Sequence, residues 1–362
     1  MLTRHDSSPR VASGSLLTLA AALALVAVVL SPALAVREAS SAADAAAKAG
    51  TLLERLSAEE RAAVLRPMEE AILVDWHFIP KDERKGLLLS AMSQEQQLAL
   101  LELMRTLVSE TGEQKTRGAM KLEALVAELE GDDRRWARDP EMYSLTLLGD
   151  PATFGQPGSR WAISYEGHHV SLNFVLEGDR VIDSTPQFLG AHPAEVKTDN
   201  SLGVPVGYRL LGPEEQLAYD LVATFDESQR SRAIIDATAP REVLTAGQAK
   251  PLEAEPAGLP SSEMSAEQRD LLLKLVHLYT DVATESIAGP RRAAIREAEP
   301  SAISFAWAGS DQPGEPHYYR IEGPSFEIEL ANTQPDASGY PANHLHAMYR
   351  DNRGDFGLDE PQ

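Results

Sequence analysis

Two stretches, one in the middle of the chain and one near its C-terminal end, share one pattern, and that pattern restricts the fold. Trp161-Ala-Ile-Ser-Tyr165 leads into Glu166-Gly167 and then His168-His169-Val-Ser-Leu-Asn-Phe174. His317-Tyr-Tyr-Arg-Ile321 leads into Glu322-Gly323 and then Pro324-Ser-Phe-Glu-Ile-Glu-Leu330. Branched and aromatic residues on both sides of a Glu-Gly corner read as strand, corner, strand. Further strand character lies over 143–148, 303–307 and 345–349, and over 175–182 with Glu177-Gly178-Asp179 as a hairpin turn.

The rest is mostly helical. Ser57 with Glu60, Ser93 with Gln96, and Ser265 with Gln268 each fit a capping box. Leu98, Leu101, Met104 and Leu107-Val108 recur at helical spacing, as do Leu122, Leu125, Val126 and Leu129. Trp76-His77-Phe78-Ile79-Pro80 interrupts them, because proline disfavours helix at the residue before it. Gly212-Pro213 opens another helix, with Leu217, Leu221 and Phe225 as its buried stripe. Residues 188–206 read as a long excursion and 250–262 as an exposed linker. Strands after helices, without steady β-α alternation, predict an α+β fold. The expected arrangement is an N-terminal helical layer over 51–135, packed on a mixed or antiparallel sheet within 140–358. The layer and the sheet form one domain, and the two strand-corner-strand units suggest a duplication.

Arg4 and Arg10, the apolar run over 16–30, and Ala33-Leu-Ala35 match an export signal over 1–35, cleaved near Ala35. That predicts a periplasmic, envelope or secreted protein with no stable membrane insertion, preceded by a flexible lead-in over 36–50. The chain has no cysteine, which removes disulfides, thiolate ligands, Fe–S clusters and a cysteine nucleophile. A net charge of −22 argues against a nucleic-acid partner. No Walker loop, G-x-S-x-G elbow or H-E-x-x-H motif is present, and no nucleotide cofactor is expected.

The histidines carry the chemistry. Side chains alternate across a strand. Over 168–174 that places Val170, Leu172 and Phe174 on one face, with His168 at its start, and His169, Ser171 and Asn173 on the other. Over 344–350 it places His344, His346, Met348 and Arg350 on one face and Leu345, Ala347 and Tyr349 on the other. The apolar sets must face the core, which leaves His169 and the His-x-His pair on polar, open faces. Histidines two apart on one strand face stand roughly 6.5–7 Å apart at Cα and can chelate one ion. If His169, His344 and His346 converge, with His317 and His168 as further candidates, the site suits Zn or Cu, and Fe less well. Three histidines with an open position form a catalytic arrangement. Asn173, Arg320, Arg350, Trp161 and Tyr319 are the candidates to orient a small-molecule or peptide substrate. His168 also reads as a core-edge histidine with a satisfied hydrogen bond. A metal-dependent enzyme, hydrolytic or redox, is one reading. The alternatives are a metal-free binding module, with Trp161, Trp307, Tyr318 and Tyr319 lining a cleft, and a structural envelope protein.

Several of these motifs carry a resemblance. Trp76-His-Phe-Ile-Pro80 with Arg84-Lys-Gly86, Glu166-Gly-His-His-Val-Ser-Leu-Asn-Phe174, Phe305-Ala-Trp-Ala-Gly-Ser310, Pro316-His-Tyr-Tyr-Arg320, Asn343-His-Leu-His346 and Gly354-Asp-Phe-Gly357 resemble the DUF3500 family. The likeness runs from about residue 50 to 358. It implies that His168, His169, His317, His344 and His346 belong to the family's characteristic motifs, and it implies no activity. Two positions depart from the pattern: Ala331 where similar proteins carry Asp, and His192 where they carry Asn. The second sets His192 aside as a ligand.

Overall fold

A computed structural model describes residues 41–358, apart from 82, 134 and 252–255. The expected export signal over 1–35 lies outside the described residues, as do residues 36–40. Among the described residues, no helix is long and apolar enough to cross a membrane.

The first helix, α1 (Ser41–Arg55), occupies most of the expected lead-in. Its alanines explain the difference. Alanine has the highest helix propensity, and Ala42, Ala45, Ala49 and Leu52 recur on one buried face. There follow α2 (Ala58–Val64), β1 (Leu65–Arg66), α3 (Glu70–Leu73), β2 (Leu87–Leu88), α4 (Gln94–Met104) and α5 (Glu110–Glu130). Next come β3 (Ser144–Leu148), β4 (Arg160–Gly167), β5 (Val170–Glu177), β6 (Arg180–Asp183) and β7 (Gln187–Ala191). The second half contains α6 (Gly212–Ala223), α7 (Glu227–Ala233), β8 (Ile234–Asp236), β9 (Leu259–Pro260), α8 (Ala266–Thr280) and α9 (Glu285–Glu297). It ends with β10 (Ser304–Gly309), β11 (His317–Gly323), β12 (Phe326–Asn332) and β13 (Leu345–Arg350).

Among the described residues, the strands form one 13-stranded sheet, ordered β1-β3-β4-β5-β7-β13-β12-β11-β10-β8, with β2, β6 and β9 on its margins. The sheet is mixed. Its two ends, β1·β3 and β8·β10, are parallel, and the strands between them are antiparallel. The order reads the same from both ends because the chain is duplicated. Elements α6 to β13 repeat α1 to β7, and only α3 and β6 lack a counterpart. Side-chain hydrogen bonds repeat too. Gln96 closes the α4 capping box and donates through Nε2 to Arg55 O and to Glu60 in the α2 capping box. Gln268 does the same for α8, donating to Thr224 O and to Gln229 in the α7 box. The starts of α5 and α9 are tied by a matching pair of bonds, Ser109 N to Val282 O at 3.0 Å and Thr284 N to Leu107 O at 2.9 Å.

Two expectations about loops change. Residues 188–191, read as the start of an excursion, belong with Gln187 to β7, the strand that joins the two halves by pairing with β13. Residues 259–260, read as linker, form β9. Each is short and flanked by prolines or glycines, so its strand character was masked. The sheet is also closed on both faces. One face carries the main core shared with the helices. The other is covered by Trp76, Phe78, Val243 and Phe356 from irregular segments, packed on Ala162, Val175, Phe188, Tyr318 and Met348. The polar faces expected to be open are therefore buried.

The repeated caps give a test. Gln96→Ala and Gln268→Ala should each cost about 1 kcal/mol, because each removes a cap and the hydrogen bonds to a neighbouring helix end. Urea unfolding measures this. Two unchanged midpoints would show that the paired networks do not hold the helices.

Candidate metal centre

The centre forms where the β4–β5 turn meets the entry to β13. Gly167 pairs with Val170, so His168 and His169 are the two turn residues rather than the start of the strand. His169 takes φ +64, a left-handed conformation uncommon outside glycine. Alternation therefore does not separate the two rings. They stack with centroids 3.7 Å apart. The backbone of His169 is fixed on both sides: its N–H donates to Phe78 O at 2.9 Å, and its carbonyl accepts from Gly190 N at 2.8 Å.

Gly190 makes room for the ring. It lies opposite His346 in the β7·β13 register. A Cβ placed there would fall 2.7 Å from His169 Cδ2 and 2.9 Å from Cγ. With no side chain at 190, the His169 ring lies across β7 and reaches the histidines of β13.

His169 Nε2 is 2.8 Å from His344 Nε2, and His344 Nε2 is 3.1 Å from His346 Nε2. The three donor atoms lie within 4.8 Å of one another. With metal–nitrogen bonds of about 2.0–2.1 Å, tetrahedral ligands stand roughly 3.3–3.4 Å apart, so the 2.8 and 3.1 Å spacings are each within about half an ångström of what an ion needs. His346 Nδ1 lies 2.6 Å from Glu242 Oε1. That contact assigns the Nδ1 proton and leaves Nε2 as a free lone pair, the carboxylate–histidine arrangement found behind metal ligands. Burial raises the Glu242 pKa, but the hydrogen bonds from His346 and the Val243 N–H outweigh it and leave the pKa lowered. Burial, then the neighbouring histidines, push His169 and His344 well below the usual imidazole range. Both stay neutral, the form that binds metal. His169 and His346 are buried and His344 is half-buried, so the site meets solvent at His344. These groups could hold a metal ion.

A second group, Glu123, His168 and His169, is similarly close. It is a poorer cation site. Glu123 Oε2 is 2.5 Å from His168 Nδ1, and Arg138 Nη1 stands 3.1 Å from that nitrogen and 3.4 Å from Glu123 Oε1. The guanidinium already neutralises the carboxylate and repels a cation. His168 is the core-edge histidine with a satisfied bond, and its ring buttresses His169.

His317 is not brought to the cluster. It lies fully buried on the helix-covered face, with Nδ1 2.9 Å from Tyr219 Oη and Nε2 3.1 Å from Glu215 Oε1. Despite burial, hydrogen bonds from His317, Asn332 and Arg209 hold Glu215 down at about 2. Asn332 continues the chain: it donates to Glu215 Oε1 at 2.7 Å and accepts His344 N–H at 3.1 Å. His317 thus supports a ligand through two intermediaries.

The five residues expected to orient a substrate are all buried and engaged within the fold. Asn173 donates to Pro186 O and Ser171 Oγ. Arg320 lies 3.1 Å from Glu322 Oε2. Arg350 bonds Asp355, Thr245 O and Gln248 O, and so pins the covering layer to the sheet. Trp161 stacks on Phe154, and Tyr319 bonds Tyr279 Oη. Trp307 and Tyr318 are buried as well, so these aromatics line no open cleft. Each carries its polar group on a strand whose two faces are covered, which period-two alternation alone could not reveal.

The family model for DUF3500, a protein of unknown function, matches residues 38–358. The chain belongs to the DUF3500 family. Comparison with curated proteins and with solved structures gives no match.

In this DUF3500 chain, three groups around the centre, Glu242, Glu123 and Gly190, escaped sequence reasoning, which met His192 only as a departure from the family pattern. Glu242 lies in an irregular segment with no local signal. Glu123 sits among the buried Leu122, Leu125 and Val126 of α5, and a carboxylate there implies a partner. Gly190 and His192 lie in the stretch read as an excursion. His192 stacks on His344, with centroids 4.2 Å apart.

Gly190→Ala should destabilise the metal-free protein by about 1–3 kcal/mol through overpacking against His169. In a His169→Ala background the loss should shrink to under about 1 kcal/mol, because the obstructing ring is gone. Denaturant unfolding of the four proteins measures the coupling. Equal losses in both backgrounds would show that the ring is not the obstacle.

Proposed function

We propose that this DUF3500 protein is an exported metal-dependent enzyme whose ion is held by His169, His344 and His346. One observation carries the reading: ring nitrogens of the three histidines gather within 4.8 Å of one another while Glu242 holds the far nitrogen of His346. Without a cation the arrangement is unfavourable, since neutral imidazoles would direct lone pairs at one another and at most one or two protons could be shared among them. Buried uncharged nitrogens gathered around a point are what a transition metal requires.

Zinc and hydrolysis fit better than copper and redox chemistry. The chain offers no thiolate, and Met348, on the same strand face as His346, is packed into the apolar covering layer. Three protein ligands leave a position for water or substrate, and bound zinc would supply a polarised water at neutral pH. The chain's own residues have separate tasks. Glu242 orients His346, His168 and Glu123 hold His169 in place, and Asn332 fixes the His344 backbone. Substrate would approach from the half-buried His344 side. A small-molecule or peptide substrate is expected, and the charge of −22 disfavours nucleic acid. The basic residues, apolar run and small-x-small site at the N-terminus support export.

Elemental analysis of the mature protein, purified without a histidine tag, is the direct test. About one equivalent of metal per chain is expected, and a folded His344→Ala/His346→Ala variant should lose it. Absence of metal after incubation with zinc and copper would contradict the proposal. Glu242→Gln should retain the fold and weaken metal affinity about 10–100-fold, measured by competition with a chromophoric chelator. Unchanged affinity would remove Glu242 from the support of His346.

A further inference from the structure

His192 follows directly after β7 and is only 5% exposed. Neither of its ring nitrogens has a hydrogen-bond partner among the described residues. Buried polar atoms are nearly always paired, and leaving two unpaired is costly. Stacking alone does not account for a histidine here, since phenylalanine would stack without that cost. The ring lies nearly parallel to His344, at 11° and 4.2 Å between centroids, and edge-on to His169 at 6.2 Å. His192 is not among the three histidines whose donor atoms gather within 4.8 Å. It stands beside the proposed ligands without joining them.

A neutral imidazole offers one donor and one acceptor. An ion held by His344 would stand close to the parallel His192 ring, whose unpaired nitrogens would then be at hand for a further ligand on that ion.

We infer that His192 is the hydrogen-bonding contact for the exogenous ligand of the metal centre, and that this ligand is a protic group able both to donate and to accept. Water satisfies this in the resting site. A substrate bearing a hydroxyl or amide N–H next to the metal-binding oxygen satisfies it in the complex. The inference rests on the metal reading proposed above. It gives specificity to His192, whose position in the chain carried no such signal.

The test uses the cobalt-substituted mature protein and acetohydroxamate, which binds metals and carries both donor and acceptor. Cobalt uptake and hydroxamate affinity are read from the visible absorption of wild type, His192→Phe and His192→Asn. His192→Phe keeps the stacked ring and removes both nitrogens, and His192→Asn keeps a donor and an acceptor. All three should take up cobalt alike. Hydroxamate should bind His192→Phe about tenfold more weakly, the loss of one hydrogen bond, and His192→Asn should recover part of it. Should His192→Phe not fold, His192→Ala carries the same expectation. Equal hydroxamate affinity in wild type and the Phe variant overturns the inference. Loss of cobalt from a folded Phe variant also overturns it, by making His192 a ligand itself. A wild type that takes up no cobalt removes the metal reading and this inference together, a result distinct from the other two.

Discussion

The pairing of β7 with β13 joins the two halves of the duplicated chain, and the candidate centre depends on it. Leu345 pairs with Ala191, His346 with Gly190 and Ala347 with Leu189, so a strand from each repeat meets at the middle of the sheet. β7 also pairs with β5, whose turn carries His169. The register therefore sets a turn histidine of one half beside the His-x-His strand of the other. Because side chains alternate strictly, a slip of one residue would turn His346 to the helix-covered face and dismantle the cluster. Gly190 completes the arrangement by leaving the space that the His169 ring occupies.

The strands are duplicated, but the histidine turn is not. The turn equivalent to His168-His169 is Pro324-Ser325, between β11 and β12. The second half keeps the caps, the hairpin and the parallel edge strand, and it uses its buried polar groups for support. His317, Glu215 and Asn332 link α6 through β11 and β12 to the backbone of His344. Arg350, two residues beyond Met348, fastens the covering layer through Asp355, Thr245 and Gln248. One half supplies the ligand turn, and the other supplies the ligand strand and much of its scaffolding.

Local pattern made much of this legible. Capping boxes at Ser57, Ser93 and Ser265 form as their spacing predicts. Alternation separated His346, Met348 and Arg350 from Leu345, Ala347 and Tyr349. What alternation could not supply was the second covering layer. Trp76, Phe78 and Val243 come from segments without periodicity, and they convert faces that read as open into buried ones. Arg320, Arg350 and Asn173 then became internal ties rather than substrate contacts. Glu242 and Gly190 act through contacts distant in sequence, with no neighbouring residue to announce them. His169 escaped the strand rule because it sits in the turn, at positive φ.

The central claim is that Nε2 of His169, His344 and His346 bind one ion. Diffraction from crystals of the metal-loaded mature protein, collected on both sides of the absorption edge of the bound element, tests it most directly. The account predicts an anomalous peak about 2.0–2.2 Å from each of the three Nε2 atoms. A peak at Glu123 and His168 instead, or none in crystals of protein exposed to zinc and copper, would contradict it.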